Sequence, residues 1–278
     1  MIKVRNLVFE YPQRNESEAV RVLNGIDLTI EAGESIAVMG ANGSGKTTLA
    51  RCLNGLLLPS EGDVWVDDLN TRVVSNLPEI RRRVGMVFQN PENQIVSTTV
   101  EREIAFGLEN LGVPYEEMHH IVDAMLTRFN LLHYRQHPPH LLSGGEMQRL
   151  AVAAVVAMSP QYLIFDEPTS LLDPASRKMV LALIAEMQAQ NKKNGALNRV
   201  ATFFITQYAE EVLGFDRLLI LHRGTIVFDD QPEKVFQNVK ELEQIGVMVP
   251  VEYEVNHYLK QISNGKFSLN SLRFLPID

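Results

Sequence analysis

Gly40-Ala41-Asn42-Gly43-Ser44-Gly45-Lys46-Thr47 decides how this chain is read. The eight residues match G-x-x-x-x-G-K-[ST]. Their flanks supply the context the pattern requires: a short apolar strand from Ser35 to Met39 ahead of them, and a helix from about Lys46 to Asn54 behind them. Glycines let the backbone wrap a phosphate chain with successive N–H groups pointing inward. The positive end of the following helix lies beneath the anion. Lys46 is placed to reach the terminal phosphates as a point charge. Thr47 is placed to offer a hydroxyl to Mg²⁺, and Thr48 to reach a further phosphate oxygen. The expected ligand is a nucleoside triphosphate with its magnesium ion, held by residues 40 to 48.

A second stretch agrees with the first. In Tyr162-Leu163-Ile164-Phe165-Asp166-Glu167 four apolar residues end in two acids. This is the pattern of a buried strand that delivers carboxylates to the edge of a sheet, where ligands bind in open α/β folds. Asp166 is expected near the magnesium shell, and Glu167 where it can orient or deprotonate an attacking water. Strand texture also marks Ile2 to Phe9, Ile26 to Ile30, Val64 to Val66, Val84 to Phe88, Val200 to Ile205, Leu218 to Leu221 and Thr225 to Phe228. Gln13 to Glu18 reads as a hairpin loop, and Pro59 with Gly62 as a turn. From about Pro91 to Met158 the pattern is helical. Asp173 is a helix cap with Pro174 in the first turn, and after Asp230 only helical or irregular segments follow.

Composition bounds the class. A length of 278 residues accommodates one large α/β domain with a small appendix, and 45% apolar residues can bury a sizeable core. The formal net charge of −8 argues against broad binding to nucleic acid or to anionic lipid, although Arg81, Arg82 and Arg83 form a short basic patch. The single cysteine, Cys52, allows no intramolecular disulfide and reads as a small core residue. Met1 to Arg5 lacks the apolar core of a signal peptide. The longest apolar run, Leu150 to Met158, falls well short of the roughly 18 residues that span a bilayer. Work at a membrane would require other chains to hold this one there.

Leu142-Ser143-Gly144-Gly145-Glu146-Met147-Gln148-Arg149 resembles the LSGGQ signature of ABC ATPases, with Glu146 in place of the usual glutamine. Further family elements follow in order. Tyr11 matches the aromatic that stacks on adenine, Gln89 the Q-loop glutamine that senses Mg²⁺ and the water, and Ser170-Leu171-Leu172-Asp173 the D-loop. The resemblance covers nearly all of residues 1 to 230. It implies an α/β fold of the P-loop NTPase ABC ATPase type, with a RecA-like core, an N-terminal antiparallel β-subdomain, a helical subdomain at about 91 to 158, and a C-terminal helical extension, 231 to 278, that helps two chains pair. It implies ATP and Mg²⁺ as ligands. Thr47, Gln89 and Asp166 would lie at the metal, and Lys46, Gln89, Glu167 and Gln207 at the reacting phosphate. Ser143, Gly144, Gly145, Glu146 and Asp173 would reach the nucleotide held by a second chain.

One position departs from the family. After the strand ending at Ile205 a histidine is usual, and this chain has Gln207. An amide can donate to a phosphate oxygen but cannot become cationic or shuttle a proton. Slower hydrolysis at this chain's own site is therefore expected. His133, His137 and His140 cluster in a proline-rich stretch without the cysteine or spaced carboxylates that would complete a metal site.

Gln89-Asn90-Pro91-Glu92-Asn93-Gln94, followed by Val100 to Asn110, resembles the Q-loop region of the ATPases of energy-coupling factor transporters. That resemblance implies a second, differing ATPase, a transmembrane coupling protein, separate substrate-binding membrane subunits, and a peripheral place on the cytoplasmic face of the cell membrane. Three alternatives stay open: the ATPase of a binding-protein-dependent importer, a non-transport ABC ATPase, and a regulatory module without turnover.

Overall fold

The computed structural model describes residues 1–12, 19–193 and 200–262, the side chains of 190–193 and 260 excepted. The loop expected at Gln13 to Glu18 and the last part of the extension, 263–278, lie outside the described residues. β1 (Ile2–Tyr11) and β2 (Val20–Ile30) pair antiparallel. β3 (Ser35–Met39) runs into the glycine loop, which opens α1 (Lys46–Leu53). β4 (Glu61–Val66), β5 (Leu69–Asn70), α2 (Leu77–Arg83) and β6 (Val84–Val87) follow. α3 (Val100–Asn110), α4 (Tyr115–Arg128) and α5 (Gly144–Ala157) fill the stretch expected to be helical. Next come β7 (Tyr162–Asp166), α6 (Pro174–Lys193), β8 (Ala201–Ile205), β9 (Arg217–His222) and β10 (Thr225–Asp230). The described chain closes with α7 (Pro232–Val235), α8 (Val239–Gln244) and α9 (Val251–Ile262).

Two sheets result. One has the order β2-β1-β4-β5 and is antiparallel; the other has the order β10-β9-β3-β8-β7-β6. The second is parallel except where β10 turns back on β9. Its central strands are apolar throughout because both faces are covered. Alternate residues feed two separate cores. Ala37, Met39, Leu163, Phe165, Phe204, Leu218 and Ile220 pack toward α3, α4 and α5. Ile36, Val38, Ile164, Phe203, Ile205, Leu219 and Leu221 pack toward α1 and the antiparallel sheet.

Two local findings differ from the sequence reading. Gly62 is not in a turn but inside β4, at φ 75°, and a Cβ there would lie 2.1 Å from the Asn6 carbonyl oxygen. Glycine is required because β1 bulges at this point and brings its backbone onto β4. β5 and α2 were not foreseen, since two and seven residues are too short to display a period. The tail beyond Asp230 is helical as expected, and beyond that reading Phe236, Val239, Leu242, Val247 and Val249 belong to the main core. Among the described residues of the tail, α9 leaves an apolar row exposed, Val251, Val255, Tyr258 and Ile262.

The basic run behaves as an ordinary helix end. Arg81 donates to the Gly55 carbonyl, Arg82 faces Glu79, and Arg83 pairs with Glu79 and Asp67. Cys52 is fully buried on α1, and burial pushes its thiol up to about 12. Iodoacetamide at pH 8 is therefore expected to leave the native protein unmodified and to alkylate Cys52 after denaturation. Prompt alkylation of the native protein, read by intact mass, would contradict this packing.

Candidate active site

The glycine loop is shaped from below. Gly40 sits at φ 153°, where a Cβ would lie 2.2 Å from the Leu221 carbonyl oxygen on β9. Gly45 caps α1 at φ 106°, tight against Leu23 of β2. Asn42, Gly43, Gly45, Lys46, Thr47 and Thr48 line a cleft of about 490 Å³. Gly40, Ala41 and Ser44, also expected at the nucleotide, are absent from the lining of the cleft. The Lys46 ammonium donates to the carbonyls of Gly40 (2.8 Å) and Ala41 (3.2 Å) and stands 4.0 Å from Glu167 Oε1. Burial pulls its pKa below the ordinary lysine value, against the opposing pull of Glu167 and Asp166.

At the far wall Thr47 Oγ1 donates to Asp166 Oδ1 at 2.9 Å. Burial raises the Asp166 pKa, and the Thr47 hydroxyl works against that shift. Hydroxyl and carboxylate oxygens side by side are a donor set suited to a hard divalent cation. Glu167 is the next residue, and its backbone leaves the strand at φ 49° while its N–H still bonds the Ile205 carbonyl at 3.1 Å. A non-glycine residue in this region carries strain of about 1–3 kcal/mol, of the kind that collects at active sites. The turn aims the Glu167 side chain into the cleft. There Gln207 Nε2 lies 3.0 Å from each carboxylate oxygen and 3.1 Å from Asn42 Oδ1. Gln89 Nε2 donates to Glu167 Oε2 and to Ser170 Oγ, both at 3.2 Å. Two amides thus orient one carboxylate beside a buried ammonium.

Tyr11 also lines the cleft. Its ring meets Phe9 edge-on at 4.8 Å, and its hydroxyl shares a 3.3 Å hydrogen bond with Thr48 Oγ1. Glycine loop, lysine, threonine hydroxyl, Glu167, Q-loop amide and Tyr11 therefore line one cleft, with Asp166 bonded to Thr47 behind it. The model of the ABC transporter family matches residues 23–170.

The chain belongs to the ABC transporter ATPase family.

Over 260 residues it is 44% identical to the energy-coupling factor transporter ATP-binding protein EcfA1 of Clostridium novyi (strain NT), covering 94% of this chain and 90% of that one. The solved structure of cbiO1 from Clostridium perfringens, described as part of the ABC transporter complex cbiONQ, superposes with a TM-score of 0.74 at 31% identity. That match covers 91% of this chain and 97% of the other. The dimeric cassette MJ0796, in a post-hydrolysis state bound to ADP and Pi, gives a TM-score of 0.74 at 25% identity, covering 84% and 99%.

Not every residue expected at the site of this ABC ATPase lies in the cleft. Ser143, Gly144, Gly145, Glu146 and Asp173 are absent from its lining. Ser143 caps α5, and Glu146 closes a capping box by accepting from Ser143 N (2.8 Å) and Oγ (2.7 Å). The Tyr134 hydroxyl, 2.7 Å away, fixes Glu146 further and holds its carboxyl below the usual range. Asp173 Oδ1 accepts from the backbone of Ala175 and Ser176 and so caps α6. A Cβ on Gly145 would fall 2.2 Å from Ser176 Oγ, so the two helix N-termini abut each other. Two lining or supporting groups escaped the sequence reading. Val22 lines the cleft from β2, the strand paired with the one carrying Tyr11, and could have been found as the residue preceding buried Leu23 in the alternation of β2. The Ser170 hydroxyl positions Gln89 and carries no local signal of its own.

Because Gln207 shares one amide nitrogen among three acceptors, a histidine there would free Asn42 and supply an ionisable group. Gln207→His is expected to raise single-turnover ATP hydrolysis several-fold, about 1 kcal/mol in barrier. Equal rates would sink the idea.

Proposed function

We propose that this chain is the ATP-binding and hydrolysing subunit of an energy-coupling factor type importer for vitamins, related micronutrients or metal ions. The observation that carries the reading is the convergence of Lys46, Gln89, Glu167 and Gln207 on one cleft, in a chain similar over 94% of its length to an energy-coupling factor ATPase. ATP would lie with its phosphates along residues 40 to 48 and its base against Tyr11, beside Val22. Thr47, Asp166 and Gln89 would hold Mg²⁺, which when bound neutralises phosphate charge. Glu167, oriented by the two amides, takes up a proton from the attacking water, and Lys46 stabilises the charge that develops on the phosphate oxygens.

The signature residues 143–146 and Asp173 point to a second ATPase chain, since they sit together but away from their own cleft. A differing partner fits best, because a histidine-bearing chain would complement Gln207. The extension at 231–278 is read as a pairing element, supported by the exposed row along α9. Among the described residues no helix is long and apolar enough to cross a membrane. The chain would therefore sit peripherally on the cytoplasmic face, held by a transmembrane coupling protein that works with substrate-binding membrane subunits. No nucleic-acid partner is proposed for this acidic chain.

Purification from native membranes through a tag on this chain, with mass spectrometry of its companions, tests the assignment. A coupling membrane protein, a second ATPase and small substrate-binding membrane proteins are expected. Recovery of a conventional permease pair would keep the ATPase and discard the subfamily, and recovery of no membrane protein would overturn the transport role. Within the complex, Lys46→Ala is expected to weaken ATP binding at this site roughly hundred-fold. Glu167→Gln is expected to leave binding intact and slow turnover by about 100-fold or more. Unimpaired binding in the first variant, or unimpaired turnover in the second, would refute the role given to that residue.

A further inference from the structure

Behind the cleft, and not among its lining, lies a buried carboxylate that the steps above do not use. Glu211 follows β8 in a single turn of 3₁₀ helix, Ala209–Glu211, and its side chain is only 4% exposed. Its Oε2 accepts the Thr206 hydroxyl at 2.5 Å and the Thr169 hydroxyl at 3.0 Å. Its Oε1 takes no hydrogen bond and faces Arg177 Nε at 3.8 Å. Arg177 lies in the first turn of α6, where its N–H bonds the Asp173 carbonyl, and its guanidinium stacks 3.7 Å over the Tyr208 ring.

Two of the three partners lie close in sequence to residues of the cleft. Thr206 immediately precedes Gln207, and its hydroxyl also accepts from Tyr208 N at 3.1 Å, which curls the backbone around Gln207. Thr169 stands two residues beyond Glu167. Arg177 lies in the first turn of the helix that Asp173 caps. We propose that Glu211 is a positioning residue for ATP hydrolysis. It ties the loop carrying Gln207 to the turn carrying Glu167, and so keeps the Gln207 amide 3.0 Å from both oxygens of the Glu167 carboxylate. The inference rests on the reading of this cleft as a hydrolytic ATP site.

The ion pair to Arg177 is long and not hydrogen-bonded, so the connection between the two loops rests on the hydroxyl bonds from Thr206 and Thr169, and losing their acceptor would leave two buried donors unpaired. What an apolar residue cannot do is accept two hydroxyl donors from different loops. Both bonds persist in Glu211→Gln, because an amide oxygen is also an acceptor; both are lost in Glu211→Met.

The test is steady-state ATP hydrolysis by the complete complex purified through this chain, with the complex carrying Glu167→Gln as the floor. Glu211→Met is expected to lower kcat roughly ten-fold or more, with KM and the affinity for a fluorescent ATP analogue unchanged within about two-fold. Glu211→Gln is expected to restore most of kcat. Thr206→Val should reduce kcat in the same way and add little on top of Glu211→Met, since the two changes break one connection. A Met variant with wild-type kcat overturns the proposal. So does a Gln variant as slow as the Met variant, or a loss of analogue binding in parallel with kcat. A wild-type complex no faster than the Glu167→Gln floor overturns the hydrolytic reading of the site, and this inference with it; activity above the floor keeps the two questions separate.

Discussion

The parallel register of four buried strands is the constraint on which the site depends. Val38 on β3 pairs with Ile205 on β8, Asp166 on β7 pairs with the same Ile205, and Val87 on β6 pairs with Phe165. Each of these strands therefore ends at one edge of the sheet. The residues that follow, Gly40, Thr206, Glu167 and Phe88, emerge there together. In such sheets the carboxyl edge is where loops have room to hold a ligand. Here the edge brings together side chains that are 165 and 78 positions apart in sequence, Asn42 with Gln207 and Gln89 with Glu167.

That arrangement sets opposed effects against each other. Burial disfavours the charged forms of Lys46 and Asp166, and their mutual proximity favours them. An isolated charge in such a place would be costly, so the cluster persists as a set: ammonium, two acids, two amides and a threonine hydroxyl. The left-handed backbone at Glu167 belongs to the same balance. Its strain is offset by the packed strand before it and by the bond to Ile205 after it. The side chain is consequently held in the cleft before any reaction begins, which is the condition for electrostatic preorganisation.

The signature segment follows a different logic. Its glycine is needed for close approach to Ser176, and its glutamate is spent on capping its own helix. Among the described residues it lies outside the lining of the chain's own cleft, with its helix N-terminus set against that of α6.

The sequence by itself determined the glycine loop, the strand that ends in Asp166 and Glu167, the helical stretch between 91 and 158, and the identity of Gln207. These are local patterns, and an unbroken apolar run or a fixed glycine spacing has few other physical solutions. It did not disclose Gly62 as a strand residue, because the steric demand comes from a bulge in β1 more than fifty positions away. Nor did it disclose Val22 as a wall of the cleft, Ser170 as a support for Gln89, or the tail residues from Phe236 to Val249 as part of the main core. Whether an outward valine meets solvent or a ligand depends on which strand lies opposite it. Whether a glutamate among neighbours such as Glu210 is solvated or buried, as Glu211 is, depends on which hydroxyls the packed loops bring to it. Those are long-range outcomes of the register, and only the tertiary structure decided them.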